Sequence, residues 1–428
     1  MSKSGFDVCI RGAGIVGQAL ALRLGQAKLR VALVDGAPAA GATQGESARD
    51  VRAYALNQAS RQLLQELRCW PEGDAVTAVQ HMHVRGDAGG AVRFDAPHSR
   101  AIKHQPGQTT APAADALAWI VDVPALEDVL RTALRFQPGV ELVSAAVPAT
   151  LTAICEGKAS ASRAELGVEF DHFDYPQHAV ATRLRSSQPH GGTAHQWFCG
   201  EHILALLPLG GAQGDEYAVV WSTSVAQAQR LVALDEAAFV AELHAIATGA
   251  AAAGPAPHGQ GLAPHTQFTL SAPRARWPLR LAQARQWAGP IPGNPGAAWV
   301  LLGDAAHTVH PLAGSGLNLG LGDVAALADA LLQRPAWRSV ADQRLLRQYA
   351  RQRKAALLPM ATATDGLQWL FWQQQPWLQG LRNWGMRGFS ASGPLKHWVM
   401  QQAMGGAAAL PMPPGLAAAR AQQQAPRP

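Results

Sequence analysis

An apolar strand, Phe6-Asp7-Val8-Cys9-Ile10, runs directly into Gly12-Ala13-Gly14-Ile15-Val16-Gly17. An Ala- and Leu-rich helix follows to about Leu24, and a second strand, Arg30-Val31-Ala32-Leu33-Val34, ends on Asp35. Few folds accept that order. Glycines at these spacings after a strand are the fingerprint of a βαβ dinucleotide fold: Gly12 for the turn, Gly14 for close approach of a pyrophosphate, Gly17 for helix packing against the strand. Asp35, eighteen residues beyond Gly17, stands where an acid takes ribose hydroxyls. By itself the fingerprint does not choose between FAD and NAD.

A second stretch makes the choice. Ala298-Trp299-Val300-Leu301-Leu302 reads as a buried strand, followed by Gly303-Asp304-Ala305-Ala306-His307-Thr308-Val309-His310-Pro311-Leu312-Ala313-Gly314-Ser315-Gly316-Leu317-Asn318-Leu319-Gly320. Asp304 is placed at the carboxyl end of the strand, where α/β sheets collect ligands and a carboxylate can accept from ribityl or ribose hydroxyls. Gly314 and Gly316 admit a flat ligand close to the backbone, and the amides of Gly316, Leu317 and Asn318 open a helix, suited to a ring edge that gains negative charge. The stretch resembles the second flavin motif of the aromatic-hydroxylase flavoproteins, and its longer form resembles the ubiquinone-biosynthesis hydroxylases, with Ser315 where that subfamily usually has Gln.

That resemblance covers most of residues 5–405 and implies a para-hydroxybenzoate hydroxylase-like fold. The expected class is α/β: a Rossmann-like FAD-binding domain with a parallel sheet, an inserted α+β substrate domain with an antiparallel sheet, and a helical C-terminus. The expected partition gives residues 1–72, 116–172 and 281–358 to the FAD-binding domain and 73–115 and 173–280 to the substrate domain. A helical region over 359–405 and a disordered tail over 406–428 complete the chain.

The resemblance further implies that Gly12, Gly14, Gly17, Asp35, Arg52, Val121, Asp304, Pro311, Gly314, Gly316, Leu317 and Asn318 hold FAD. It implies that NADH or NADPH reduces the flavin, and that a C4a-hydroperoxyflavin transfers oxygen from O2 to the ring of a hydrophobic aromatic substrate, a prenylated phenol or quinone precursor. Trp197, Phe198, Leu206, Pro208 and Trp221, on strands of the inserted domain, are candidates for facing that substrate, with plain core as the competing role. No side chain stands out as a catalytic acid or base. Glu156 takes the place of the family's Asp in an Ala-Asp-Gly motif, and the segment before it is too short for the usual β-meander. Those departures keep two rivals open: a hydroxylase of another apolar aromatic, and a catalytically impaired flavoprotein scaffold in a biosynthetic complex.

Composition narrows the remaining classes. At 48% hydrophobic and 15% charged residues the chain has material for a large interior. Cys9, Cys69, Cys155 and Cys199 have no CxxC spacing, and His190, His195 and His202 are irregular, so neither disulfides nor a metal is expected. The formal charge of +6 is concentrated in Arg344, Arg347, Arg351, Arg353 and Lys354, which read as a solvated helix face rather than a nucleic-acid surface. A strand begins at Phe6, leaving no room for a signal peptide, and no uncharged apolar run reaches about 18 residues. A cytoplasmic protein is expected. Five of the thirteen tryptophans lie between residues 361 and 400 among Arg382, Arg387 and Lys396, which suits a peripheral membrane or biosynthetic-complex contact as well as helices capping the core.

Overall fold

The computed structural model describes residues 5–35, 50–86, 90–96, 116–248, 262, 265–308 and 315–372, the last fifteen by backbone only. Pro311, Gly314, the loop over 255–264 apart from Leu262, and the chain beyond Trp372 lie outside the described residues.

Strand β1 (Phe6–Arg11) feeds helix α1 (Ile15–Gln26) and strand β2 (Val31–Val34). Strand β3 (Ala53–Leu56) and helix α2 (Gln58–Glu66) follow, then β4 (Val76–Val79), β5 (His81–Arg85) and β6 (Ala91–Asp95). Next come β7 (Ala118–Asp122), helix α3 (Val123–Arg135), β8 (Val140–Val143) and β9 (Ala149–Ile154). Five residues separate β8 from β9, so no meander intervenes, as the sequence indicated.

The first sheet runs β16-β17-β9-β1-β2-β8, where β16 (Ala288–Ile291) and β17 (Asn294–Leu301) form an edge hairpin. From β8 to β17 all pairings are parallel, and β1 lies between β2 and β9. Parallel strands are covered on both faces, which explains why Val8, Cys9 and Ile10 are all buried without alternation. Helix α1 packs against α3 and against α7 (Ser315–Leu332), and α7 in turn against α8 (Gln343–Trp372).

Between β9 and β17 the chain leaves this layer. After the short helix α4 (Ala161–Glu165) it builds β10 (Phe170–Ser186), β11 (Thr193–Cys199), β12 (His202–Leu209) and β13 (Glu216–Ser224). Helices α5 (Val225–Ala233) and α6 (Glu236–Thr248) follow, then β14 (Phe268–Leu270), β15 (Ala275–Ala284) and, after β17, the short β18 (His307–Thr308). These strands and β5-β6 form a second sheet in the order β18-β15-β10-β13-β12-β11-β5-β6, with β14 beside β10. It is antiparallel except between β5 and β11. A small antiparallel sheet, β3-β7-β4, lies between the two.

The architecture is the mixed α/β class expected. Among the described residues no helix is long and apolar enough to cross a membrane. One sequence reading is corrected. Arg344, Arg347 and Arg351 are exposed as expected, but Arg353, on the same helix, turns inward to a buried carboxylate.

Candidate active site

Three chain segments converge at the carboxyl edge of the parallel sheet. The first is the turn after β1. Gly12 has φ +109°, and a Cβ there would stand 2.6 Å from the Cys155 carbonyl oxygen. At Gly17 a Cβ would lie 1.9 Å from the Gly12 carbonyl oxygen, so α1 can begin this close to β1 only through glycine. Gly14 differs. Among the described residues nothing lies within 4 Å of its would-be Cβ, so none of them fills the space beside it. Asp35, exposed just past β2, completes the edge.

The second segment follows β17. Gly303, at φ +57°, turns the chain so that Asp304 sits half-buried at the strand end. Its carboxylate makes no hydrogen bond to any described residue. Burial pushes its pKa above the ordinary carboxylate range, against the pull of Lys158, His307 and Arg52. A desolvated carboxylate without a partner among the described residues, at the same sheet edge as the glycine turn, fits the hydroxyls of a dinucleotide's ribityl or ribose chain.

What holds this motif in place is an ion-pair network. Asp323, fully buried on α7, accepts from the Gly303 backbone N–H at 2.9 Å, from His307 Nε2 at 2.7 Å and from Arg353 Nε at 2.7 Å. Burial pushes its pKa up, yet His307 and Arg353 outweigh that and keep it below the usual range. His307 stacks on Trp287 with ring centroids 5.0 Å apart, and Tyr349 donates from α8 to the Leu301 carbonyl at 3.0 Å. Sequence reading passed over this network. The available signal was Asp323 itself, a charge within a helix whose other residues near it are apolar, since buried charges require partners.

The third segment runs from Asp50 to Ser60. Arg52 binds Asp50 through Nε, 2.9 Å from each carboxylate oxygen. The bond to Asp50 raises the Arg52 pKa further, so it stays charged. Beside it burial raises the Tyr54 hydroxyl, which stays protonated. Arg183 of β10 donates to the Asp50 carbonyl at 3.2 Å and pairs with Asp122, fastening the second sheet to this segment. Asn318 joins the segment to α7: Oδ1 accepts from the Asn57 N–H at 2.9 Å and the Ser60 hydroxyl at 2.7 Å, and Nδ2 donates to the Ala55 carbonyl at 2.7 Å. Its side chain is therefore a staple between segments. The amides of Gly316, Leu317 and Asn318 lie in the first turn of α7, where backbone donors have no acceptor within the helix. Val121 is buried in β7 and pairs with Tyr54.

Glu156 lies just past β9, opposite the Gly12 turn. Its carboxylate accepts from Ser160 Oγ at 2.8 Å, from the Ser162 N–H at 3.0 Å and from Ser162 Oγ, and it pairs with Arg11 at 3.2 Å. Burial acts to raise its pKa, but these donors prevail and lower it. The adjoining Arg163, buried, donates at 2.9 Å to the carbonyls of Ala305 and Lys158, clamping the ends of β9 and β17 together.

Of the residues considered for the substrate, four lie elsewhere. Trp197, Leu206 and Trp221 belong to the apolar cluster that α6 covers with Phe239 and Leu243. Strand alternation puts Pro208 on the same side as Leu206. These are packing residues, and Phe198, one position from Trp197, takes the opposite face. That face carries Ala194, Leu209 and Ala218, which pack on Val79 and Ile120 of the small sheet. Its continuation through Ala205 and Val220 is only half-covered.

Residues 297–363 match the FAD binding domain family. Over 432 residues the chain is 28% identical to the 3-demethoxyubiquinol 3-hydroxylase of Escherichia coli, spanning 95% of this chain and all of that one. The chain is an FAD-dependent hydroxylase. The mitochondrial ubiquinone biosynthesis monooxygenase COQ6 of Xenopus tropicalis is 31% identical to this hydroxylase over 268 residues, 57% of this chain and 55% of that one. Its fold is shared by the p-nitrophenol 4-monooxygenase PnpA of Pseudomonas putida, with a TM-score of 0.65 at 17% identity over 95% of this chain and 99% of that one.

Proposed function

We propose that this hydroxylase adds oxygen from O2 to the ring of an apolar phenol, a prenylated phenol or quinone precursor of ubiquinone synthesis, with NADH or NADPH as reductant. Bound FAD supplies the two-electron and oxygen chemistry. In this reading Gly12, Gly14 and Gly17 admit the pyrophosphate, Asp35 and Asp304 take hydroxyls of the ribose and ribityl chain, and Arg52 lies along the flavin. Val121 and the first-turn amides of α7 border the isoalloxazine, with Pro311 and Gly314 assigned by resemblance. The partition into a flavin-binding and a substrate domain belongs to the same proposal.

One juxtaposition carries the reading. A cradle suited to FAD includes the Asp50–Ser60 segment, which Arg183 fastens to the second sheet, and the face of that sheet through Ala205 and Val220 is half-covered. Such a face excludes water and positions a ring while the cofactor does the bond making. The names of the relatives support a ubiquinone-type substrate.

The test is anaerobic reduction of the purified flavoprotein with NADH or NADPH, with and without a short-chain prenylphenol, followed by oxygen. Phenol-stimulated bleaching of the flavin and a hydroxylated product are expected. Tight FAD that neither nucleotide reduces would favour the scaffold reading, for which the observation is Glu156: its carboxylate is fully engaged by Ser160, Ser162 and Arg11 and not free for a nucleotide.

A further inference from the structure

The face of the second sheet opposite the α6-covered core carries a polar group, Gln196, whose side chain bonds to no described residue. Gln196 on β11 pairs in register with Val84 on one side and Ala205 on the other, and the row continues through Val220 to Ala181. Directly paired residues share a face, so the Gln196 amide rises from an otherwise apolar row. Two positions earlier on the same strand and face, Ala194 packs on Ile120 of the small sheet. Gln196 therefore lies two residues beyond the contact between the second sheet and the small sheet.

Gln196 is 8% exposed, and its side chain makes no hydrogen bond to any described residue. His83, His195 and Trp197, on the other face, also hold orphan nitrogens, but those are sealed against solvent in the core. The Gln196 amide is not sealed; it borders open space. Its neighbours in the row, Ala181 and Ala205, are small, and Ala205 is only half-covered.

We propose that Gln196 orients the aromatic substrate, its amide exchanging a hydrogen bond with the phenolic oxygen while the alanines and Val220 carry the apolar part. The proposal rests on the hydroxylase reading above. The amide oxygen accepts from a phenolic O–H, a bond that the ether, with no proton to donate, cannot make. Sites built to bond a substrate hydroxyl reject analogues lacking it because their own buried polar group is left unpaired. Gln196 thus sets which ring position meets the flavin.

The experiment compares binding of a short-chain prenylphenol and its O-methyl ether to the FAD-loaded protein, read by flavin absorbance and by melting temperature. The wild type should prefer the phenol by about tenfold, the worth of one net hydrogen bond. In Gln196→Met the preference should vanish because the phenol weakens while the ether keeps its affinity, with FAD content unchanged. Gln196→Ala, which opens space instead of filling it, should lose the preference too and serves if the Met variant does not fold. A folded variant that keeps the preference overturns the proposal, as does a wild type that binds phenol and ether alike. If the wild type hydroxylates the phenol in either of those cases, only the role of Gln196 falls. If it binds neither compound, the hydroxylase reading and this one fall together.

Discussion

Replacing Asp323 with Asn tests the network that fixes the Gly303–Asp304 turn. The carboxylate is fully buried and receives three donors at 2.7–2.9 Å, one from a guanidinium that is itself only 12% exposed. Asn has one acceptor oxygen, so its NH2 must face either Arg353 or the Gly303 N–H, donor against donor. Arg353 also loses its counter-charge. Breaking a buried, hydrogen-bonded ion pair by removing one charge costs about 3–5 kcal/mol, and that range is expected here. Urea unfolding followed by tryptophan fluorescence is the assay, because Trp287 stacks on His307 and reports the network directly. FAD retention should fall in parallel, since Asp304 follows the anchored Gly303.

The pH dependence has a definite sign. Asp323 has a depressed pKa in the folded state, so its contribution is complete above the unfolded carboxylate range, near about pH 4, and is lost as pH falls through the folded value. Wild type and Asp323→Asn should converge on acidification. In a cycle with Arg353→Met the two losses should be far from additive, because each removes the same pair. An Asp323→Asn protein within about 1 kcal/mol of wild type at neutral pH, well under the range for a buried pair, would refute the argument.

Asn318→Ala removes three hydrogen bonds and leaves the Asn57 N–H, Ser60 hydroxyl and Ala55 carbonyl without that partner; a loss of about 2–4 kcal/mol is expected in urea unfolding. Asp304→Asn should act in opposite directions on stability and binding. The raised pKa means the folded apoprotein holds its proton more tightly than the unfolded chain, so stability declines as pH rises from the unfolded value through the folded one. The variant lacks that decline, and its apoprotein should melt higher than wild type at pH 7 while binding FAD more weakly by fluorescence titration. A lower melting temperature for apo Asp304→Asn would show that the carboxylate is structurally satisfied.

The glycine pattern was legible because its causes are local. Gly12 needs its φ and its clearance from Cys155, and Gly17 its contact with the preceding turn, whatever the rest of the chain does. The shortened connection before β9 was legible for the same reason, being a count of residues. Glu156 was visible as a substitution, but not its capture by Ser160, Ser162 and Arg11, which depends on how α4 folds back.

By itself the sequence determined the parallel sheet, the position of Asp304 at a strand end and the insertion of a β-rich segment between β9 and β17, since these follow from periodicity and backbone sterics. Tertiary structure decided which face of that inserted sheet is core. Alternation separates Trp197 from Phe198, yet only the packing shows that α6 covers the tryptophan side while the small sheet covers the other at Ala194, Leu209 and Ala218 and leaves Ala205 and Val220 half-covered. It also decided that Arg353 leaves the solvated face of α8 for Asp323, thirty residues earlier. A charge on a helix turns inward only when another helix crosses close enough to present its partner, and that crossing is set by side chains far apart in the chain.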